Sequence, residues 1–419
     1  METQTNTESG ARVLPKAMTP IKKYEPVAPV PAPSPAVPGN HACGSVEKRI
    51  ILMAMKAWIF LLACVVIRRP ALIWKTYKSR IRLRSEVWGD EIRKLYRVAG
   101  KYYITMYTPG WPSRAYTSIW KSELRRQVPG NTHPEKTFFA FFAITRKCPM
   151  RCEHCFEWDN LNQKESFSKD DLIRVLNMYQ KSGIQQFHFS GGEPMVRIKD
   201  LLELVRQGKG KSDCWVVTSG FNCTPENARL LKEAGCKGVV VSIDHYIPEF
   251  HNIFRGHPDA FRNATHAVHA IKEAGMVSAI SVCVTKTFID GGHLMPYVEF
   301  ARSLGVQFVQ LLEPRNIGHY AGKNVSLEEK HIRTLENFYK KINLSGKYRR
   351  YPTLLYHGYH QRRIGCFAGS RSIYIDSAGD VHSCPFCHTS SYNIIQLIRD
   401  GKNDIPQKEN ACPQFNKIA

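Results

Sequence analysis

The chain has 419 residues, 43% of them hydrophobic, enough for two or three domains around a sizeable core. Its thirteen cysteines are an odd number in a long chain, which argues against a secreted disulfide framework and for a reducing, cytoplasmic compartment. A formal net charge of +23 predicts a surface that attracts polyanions, anionic lipid or acidic substrates, and charge alone does not choose among them.

Residues 1–46 repeat Pro, Ala, Val, Ser and Thr with few aromatics, as in the run Pro26 to Pro33, and read as a disordered, polyproline-like tail. The start, Met1-Glu2-Thr3, lacks the basic and apolar regions of a signal peptide. Residues 47–136 form a second region. Ile50 to Ile67 is strongly apolar and interrupted by Lys56, with basic residues at both ends: Lys48 and Arg49 before it, then Arg68, Arg69, Lys75, Lys78, Arg80, Arg82 and Arg84. The uncharged part, Ala57 to Ile67, is shorter than the roughly 20 residues a membrane span needs. The segment is therefore expected to lie in a membrane interface, with Trp58, Phe60 and Trp74 at headgroup level and the cations on anionic lipid. The alternative is a core or oligomer-interface helix with solvated ends. The aromatic stretch that follows (Tyr102, Tyr103, Tyr107, Trp111, Tyr116, Trp120) reads as a small accessory module or a substrate-side wall.

Between residues 137 and 320 six apolar runs alternate with amphipathic segments: Phe138 to Ile144, Ile184 to Phe189, Trp215 to Val217, Gly238 to Ile243, Val277 to Val284 and Val306 to Leu312. Helix ends are marked by Gly183, Gly235, Gly275 and Gly305, and helix starts by the pair Ser168/Asp171 and by Thr224-Pro225. Six strand-helix units in a row predict an α/β fold, a parallel and partly closed (β/α)6 TIM-like barrel with its chemistry at the carboxyl ends of the strands. A helical N-terminal extension and a small C-terminal module at 321–419 complete the expected organisation.

Two motifs fall on that catalytic end. Cys148, Cys152 and Cys155 follow the first strand, and Gly191-Gly192-Glu193-Pro194 follows the second. Three soft thiolates within eight residues suit three irons of a 4Fe-4S cube and leave the fourth iron open. Zinc uses the same residue types, but it wants four ligands in paired spacings, and His154 would be a fourth only with difficult geometry.

The C-x3-C-x2-C spacing and the GGEP run resemble the cluster loop and the corresponding motif of the radical S-adenosylmethionine (SAM) enzymes. The resemblance implies that the open iron chelates SAM, and that one electron from the cluster cleaves it to methionine and a deoxyadenosyl radical that takes hydrogen from substrate. It also implies SAM contacts. Gly191 and Gly192 would allow close approach, Glu193 would lie near the amino group, and Ser219 and Asn222 would sit near the ribose. Ser242 and Arg255, in phrases similar to the S-x-D and R-G pair of the peptide-modifying branch, would complete the pocket. His245, His251, His257, His266 and His269 lie nearby in sequence without an assigned role, and no catalytic acid, base or hydrogen donor can be named.

Past the barrel, the phrase Ser372 to Val381 reads as a hairpin that brings Cys366 and Cys384 together, with Cys387 and Cys412 following. Four cysteines suffice for a second 4Fe-4S cluster. Cys366, Gly379 and Cys384 match the opening of the SPASM/Twitch auxiliary-cluster modules, whereas the later cysteines of the full SPASM pattern are missing. A four-cysteine zinc site stays open as the alternative, because Cys387 follows Cys384 at a zinc-like spacing. The remaining cysteines, 43, 64, 214, 223, 236 and 283, read as small buried hydrophobes or loop thiols.

The expected function is that of a radical SAM enzyme, cytoplasmic and peripheral on the inner membrane face, acting on a small, lipid-linked or membrane-delivered substrate. It would need an electron donor such as flavodoxin or ferredoxin. The alternatives are a maturase acting on a ribosomally made peptide and a non-enzymatic iron-sulfur redox sensor. Nucleic acid is not an expected partner, because basic and aromatic residues interleave nowhere outside the N-terminal region.

Overall fold

Each of the six apolar runs forms a strand of one parallel sheet in the computed structural model, which describes residues 37–78, 94–126, 128, 137–387, 390–402 and 404–406. The proline-rich segment up to residue 36, the basic residues Arg80, Arg82 and Arg84, and Cys412 lie outside the described residues. In chain order the barrel strands are β4 (Phe139–Ala143), β5 (Gln186–Ser190), β6 (Asp213–Thr218), β7 (Gly238–Ser242), β8 (Val277–Cys283) and β9 (Phe308–Leu312). They are buried on both faces, which explains why they read as continuous rather than alternating apolar runs. A seventh strand, β10 (Thr353–Tyr356), pairs in parallel with β9 and extends the barrel past residue 320. At four residues it is too short to stand out in the sequence.

The helices between these strands begin and end where the sequence indicates. Ser168 Oγ accepts from Asp171 N at 3.1 Å while Asp171 Oδ2 accepts from Ser168 N at 2.9 Å, a reciprocal cap. Thr224 caps the helix Pro225–Ala234, which ends on Gly235 at φ +115°, a conformation only glycine adopts without strain.

The other edge of the sheet carries the C-terminal segment. β11 (Ser372–Ile375) pairs in parallel with β4, then β12 (Asp380–His382) and β13 (Tyr392–Asn393) add antiparallel strands. The hairpin expected from the sequence therefore continues the barrel sheet, and it leads directly back to the strand that carries the first cysteine loop.

A separate three-stranded sheet is built from β1 (His41–Ala42), β2 (Tyr96–Val98) and β3 (Lys101–Tyr103). β1 falls within the stretch expected to be disordered, and Ala42 pairs with Tyr96 there. This sheet lies beneath the amino ends of the barrel strands. Tyr96, Tyr103 and Met106 join Trp215, Val277 and Phe308 in one apolar cluster, and the Tyr103 and Trp215 rings meet edge to face at 6.3 Å. The first half of the aromatic stretch is thus a floor at the end opposite the catalytic motifs. Lys94 fastens it, donating from its buried Nζ to the Ile342 and Pro352 carbonyls at 3.0 and 2.9 Å.

The apolar N-terminal segment is one helix, α1 (Ser45–Ile67), followed by α2, described over residues 70–78. Continuous over 23 residues, α1 is long and apolar enough to cross a membrane by length and composition, which the uncharged part alone did not suggest. One face, with Leu62, Ala63 and Ile67, packs on Leu124 of α3 (Arg114–Arg125). The other is open. Val46, Ile50, Met53, Ala57, Leu61 and Val65 recur at three- and four-residue spacing with side chains in solvent, Met53 and Val65 each 63% exposed.

Candidate active site

The three cysteines of the first loop converge. Cys152 is buried and Cys148 and Cys155 are half-buried, grouped with Met150, Ala260 and Phe221. The loop is held from several elements at once. Arg151 N donates to Arg255 O at 3.0 Å and Glu153 N to Phe254 O at 2.9 Å. Asn162 brackets Cys148, accepting from its N–H at 3.0 Å and donating to its carbonyl at 3.1 Å. His319 N donates to Cys155 O at 2.9 Å, with the His319 ring stacked on Trp158 at 3.8 Å.

Gly192 explains part of the motif after β5. A Cβ there would lie 2.3 Å from Lys147 O, inside the backbone of the cysteine loop. Glu193 N donates to that same carbonyl at 2.8 Å, so the two motifs are stitched together. The Glu193 carboxylate is fully buried and accepts from Ser219 Oγ (2.6 Å), Ser219 N (2.7 Å), Thr218 Oγ1 (2.7 Å) and Met195 N (3.0 Å). Burial pushes its pKa above the ordinary carboxylate range, and these hydrogen bonds oppose the shift. Ser219 is thus engaged with Glu193. Asn222, at φ +56°, donates to Met195 O at 2.9 Å, and Ser242 Oγ accepts from Ser281 Oγ at 3.3 Å across the ends of β7 and β8.

Arg255 stands between two partners. Its Nε is 2.6 Å from Asp244 Oδ2, and its Nη1 donates to Cys152 Sγ at 3.6 Å. Burial alone would push the Asp244 carboxyl up, but the Arg255 guanidinium outweighs it, with His154 and His251, and holds it below the ordinary carboxylate range. Burial raises all three thiols, Cys148 to about 12, so the free side chains are neutral in this apolar pocket. Iron bound here would replace those protons, and the guanidinium beside Cys152 would favour its thiolate. Three soft donors grouped on a loop with a buried cation suit an iron-sulfur cluster, and the side chains fit the group that the motif implies.

The second cysteine group also assembles. Cys366, Cys384 and Cys387 cluster with Ala368. Gln361 Nε2 donates to Cys366 Sγ at 3.3 Å, and Phe386 N donates to Cys384 Sγ at 3.4 Å. Glu157, two residues after Cys155, accepts from Ser377 Oγ at 2.7 Å and from Tyr374 Oη, while Phe156 meets Phe386 at 5.8 Å. The two cysteine groups therefore share one buried wall.

Residues to which the sequence assigned no role in the site fill the rest of the mouth. Glu153, Asp244, His245, Cys283 and Tyr320 line a cavity of about 290 Å3 beside the first loop, with Tyr320 Oη donating to Glu153 at 3.0 Å. Asp244 ends the S-x-D phrase and Glu153 lies inside the cysteine run, so both carried a local signal. Cys283 and Tyr320 carried none.

Parallel strands in this order, with a three-cysteine loop after the first and GGEP after the second, define a class of iron-sulfur α/β enzyme. The sequence model of the radical SAM superfamily matches residues 142–303, so the chain carries a domain of that superfamily, whose enzymes use a 4Fe-4S cluster and SAM. It is 28% identical over 200 residues to an AdoMet-dependent heme synthase of Oleidesulfovibrio alaskensis, covering 47% of this chain and 51% of that protein. It is 30% identical over 145 residues to the enzyme of the same description from Nitratidesulfovibrio vulgaris, covering 34% and 39%. The chain thus spans about half or less of the curated relatives it matches. Among solved structures, Streptococcus suis SuiB bound to S-adenosylmethionine superposes with a TM-score of 0.52 at 15% identity, covering 70% of this chain and 72% of that one, a likeness of fold.

Proposed function

We propose that this chain is a radical SAM enzyme that abstracts hydrogen from a substrate delivered at a membrane surface. Cys148, Cys152 and Cys155 would hold the catalytic 4Fe-4S cluster. When bound, the cluster and SAM supply a carbon-centred radical at the mouth of the barrel. The observation that carries this reading is the loop itself: three grouped thiols, locked to the GGEP segment through Lys147 O and backed by the Arg255–Asp244 pair.

The chain's own residues have separable tasks in this reading. Gly191 and Gly192 let the GGEP segment lie directly against the backbone of the cysteine loop, and Glu193, set by Ser219 and Thr218, places negative charge where an ammonium group would sit. Asn222 and Ser242 stand at the ends of β6 and β7, within the strand-end face where a ribose and a carboxylate would be bound. Arg255 would compensate charge on Cys152 while Asp244 fixes its plane. Cys366, Cys384 and Cys387, with Cys412 as the fourth ligand, would hold an auxiliary 4Fe-4S cluster. A flavodoxin or ferredoxin is the class of electron donor required.

Membrane docking is assigned to α1. Its open apolar stripe and the cations Lys48, Arg49, Lys56, Arg68 and Arg69 suit an anionic leaflet, and its other face is already spent on α3. The enzyme would then be peripheral, on the inner face, and its substrate lipid-linked or membrane-delivered.

The test is anaerobic. The reconstituted, reduced protein is given SAM with and without a total lipid extract of the source membrane, and deoxyadenosine is quantified. A rise with lipid is the expected result. A background unchanged by lipid would overturn the membrane substrate in favour of a soluble or peptide one, and no deoxyadenosine at full iron content would overturn the enzyme itself.

A further inference from the structure

The corner where the chain leaves the small sheet and enters α1 gathers three metal-ligating side chains of different kinds. His41 belongs to β1, Cys43 follows it, and Glu47 lies in the first turn of α1. One imidazole nitrogen, the Cys43 sulfur and one carboxylate oxygen all lie within 4.8 Å of one another. His41 Nε2 and Glu47 Oε2 are 2.8 Å apart.

The backbone dictates this meeting. His41 pairs with Arg97 and Ala42 with Tyr96, and Cys43 N donates to Leu95 O at 2.8 Å, so positions 41 and 43 continue one extended register and project to the same side. Lys48 N donates to Gly44 O at 2.9 Å, the bond that opens the helix and carries Glu47 back to His41. Ala99 N donates to Asn40 Oδ1 at 2.8 Å and Tyr102 Oη donates to Glu47 Oε1 at 3.4 Å, so the hairpin of β2 and β3 holds the cluster from the side of the sheet.

We propose that His41, Cys43 and Glu47 form a zinc site, with a water from the open side as the fourth ligand. A thiolate and an imidazole disfavour calcium and magnesium, which take oxygen ligands, and one sulfur is too few for an iron-sulfur cluster. Tetrahedral zinc, with bonds of about 2.0–2.3 Å, keeps its ligand atoms roughly 3.3–3.6 Å apart, a spacing that small side-chain rotations reach from the observed positions. The side chains of His41 and Glu47 are 42% and 30% exposed, so an ion and a water can enter without opening the core. On binding, zinc displaces the Cys43 thiol proton to solvent and takes the place of the hydrogen bond between His41 and Glu47. The ion then ties the start of α1 to the sheet under the barrel, apart from the two cysteine groups assigned to clusters.

The test uses the full chain with its clusters reconstituted anaerobically, so that the grouped cysteines are occupied, and titrates it with zinc chloride against a chromogenic chelator. One zinc per chain is expected, and zinc K-edge X-ray absorption should give a first shell of one sulfur and three nitrogen or oxygen atoms. His41→Ala, Cys43→Ala and Glu47→Ala should each weaken binding at least tenfold, and Cys43→Ala should abolish the sulfur shell, while the cluster absorbance stays unchanged. A shell of four sulfurs would overturn the site by placing zinc at the second cysteine group. A shell without sulfur, an affinity unchanged in the variants, or no zinc retained would overturn it too. The X-ray absorption of the unaltered protein keeps the test decisive even where a variant fails to fold. None of these outcomes bears on deoxyadenosine formation, so the radical reading stands or falls separately.

Discussion

Arg255 joins two groups that lie far apart in the chain, Cys152 and Asp244, and all three side chains are buried. Removing one member of a buried ion pair leaves the other charge uncompensated, which costs about 3–5 kcal/mol. Arg255→Ala should therefore lower the unfolding free energy of the cluster-free protein, measured by denaturant titration, by that order, and adding Asp244→Asn should recover part of the loss. A loss no smaller in the double variant would refute the pairing. His188 gives a pH prediction at the same scale. Burial within the barrel floor drives its pKa down to about 3, against about 6.5 in the unfolded chain. Below pH 6.5 the unfolded chain takes up a proton that the folded one refuses, so stability is full above 6.5 and is lost as pH falls toward 3. Between pH 7.5 and 5.5 this single residue should cost about 1.4 kcal/mol. Denaturant titrations at the two pH values should show the slope reduced by that amount in His188→Gln, which keeps an acceptor for Gln186 Nε2, 3.0 Å away.

At the scale of elements, α1 is the part whose pattern and surroundings disagree most. Its inner face has a partner in α3, while its outer face keeps Ile50 and Leu61 in solvent. Burying one such side chain in an apolar medium contributes about 1.5–3 kcal/mol. Ile50→Glu with Leu61→Glu should therefore weaken sedimentation with anionic liposomes by more than tenfold while leaving the barrel's circular dichroism unchanged. Equal sedimentation of the variant would sink the docking role. The barrel elements behave in the opposite way. Ser168, Thr224 and Gly235 act within one turn of themselves, so their caps could be read directly from neighbouring letters. β10 could not be, because a four-residue strand acquires its identity from the parallel partner β9, which lies about forty residues earlier in the chain.

The whole molecule is a barrel closed below by residues 94–111 and extended sideways by the C-terminal hairpin. The floor predicts a sharp boundary for truncation. Deleting residues 1–78 should lower the barrel's thermal unfolding midpoint only modestly, since it removes the two-residue edge strand β1 and uncovers α3 but leaves Tyr96, Tyr103 and Met106 in place. Deleting residues 1–112 should lower the midpoint strongly, because Trp215, Val277 and Phe308 would lose the cover of Tyr96, Tyr103 and Met106. Equal unfolding temperatures for the two truncations, measured by circular dichroism, would contradict the role of the floor.

By itself the sequence determined the class. The Cys148–Cys155 spacing, the GGEP run and six buried strand patterns are local features, and ligand chemistry and strand burial act through residues close in the chain. Only the tertiary structure decided that Arg255 sits on Cys152, that Ser219 serves Glu193, that the aromatic stretch lies under the barrel, and that Cys283, His245 and Tyr320 share one cavity. Those relations join side chains from different strand ends, and no periodicity or spacing encodes a meeting that the closure of the parallel sheet creates.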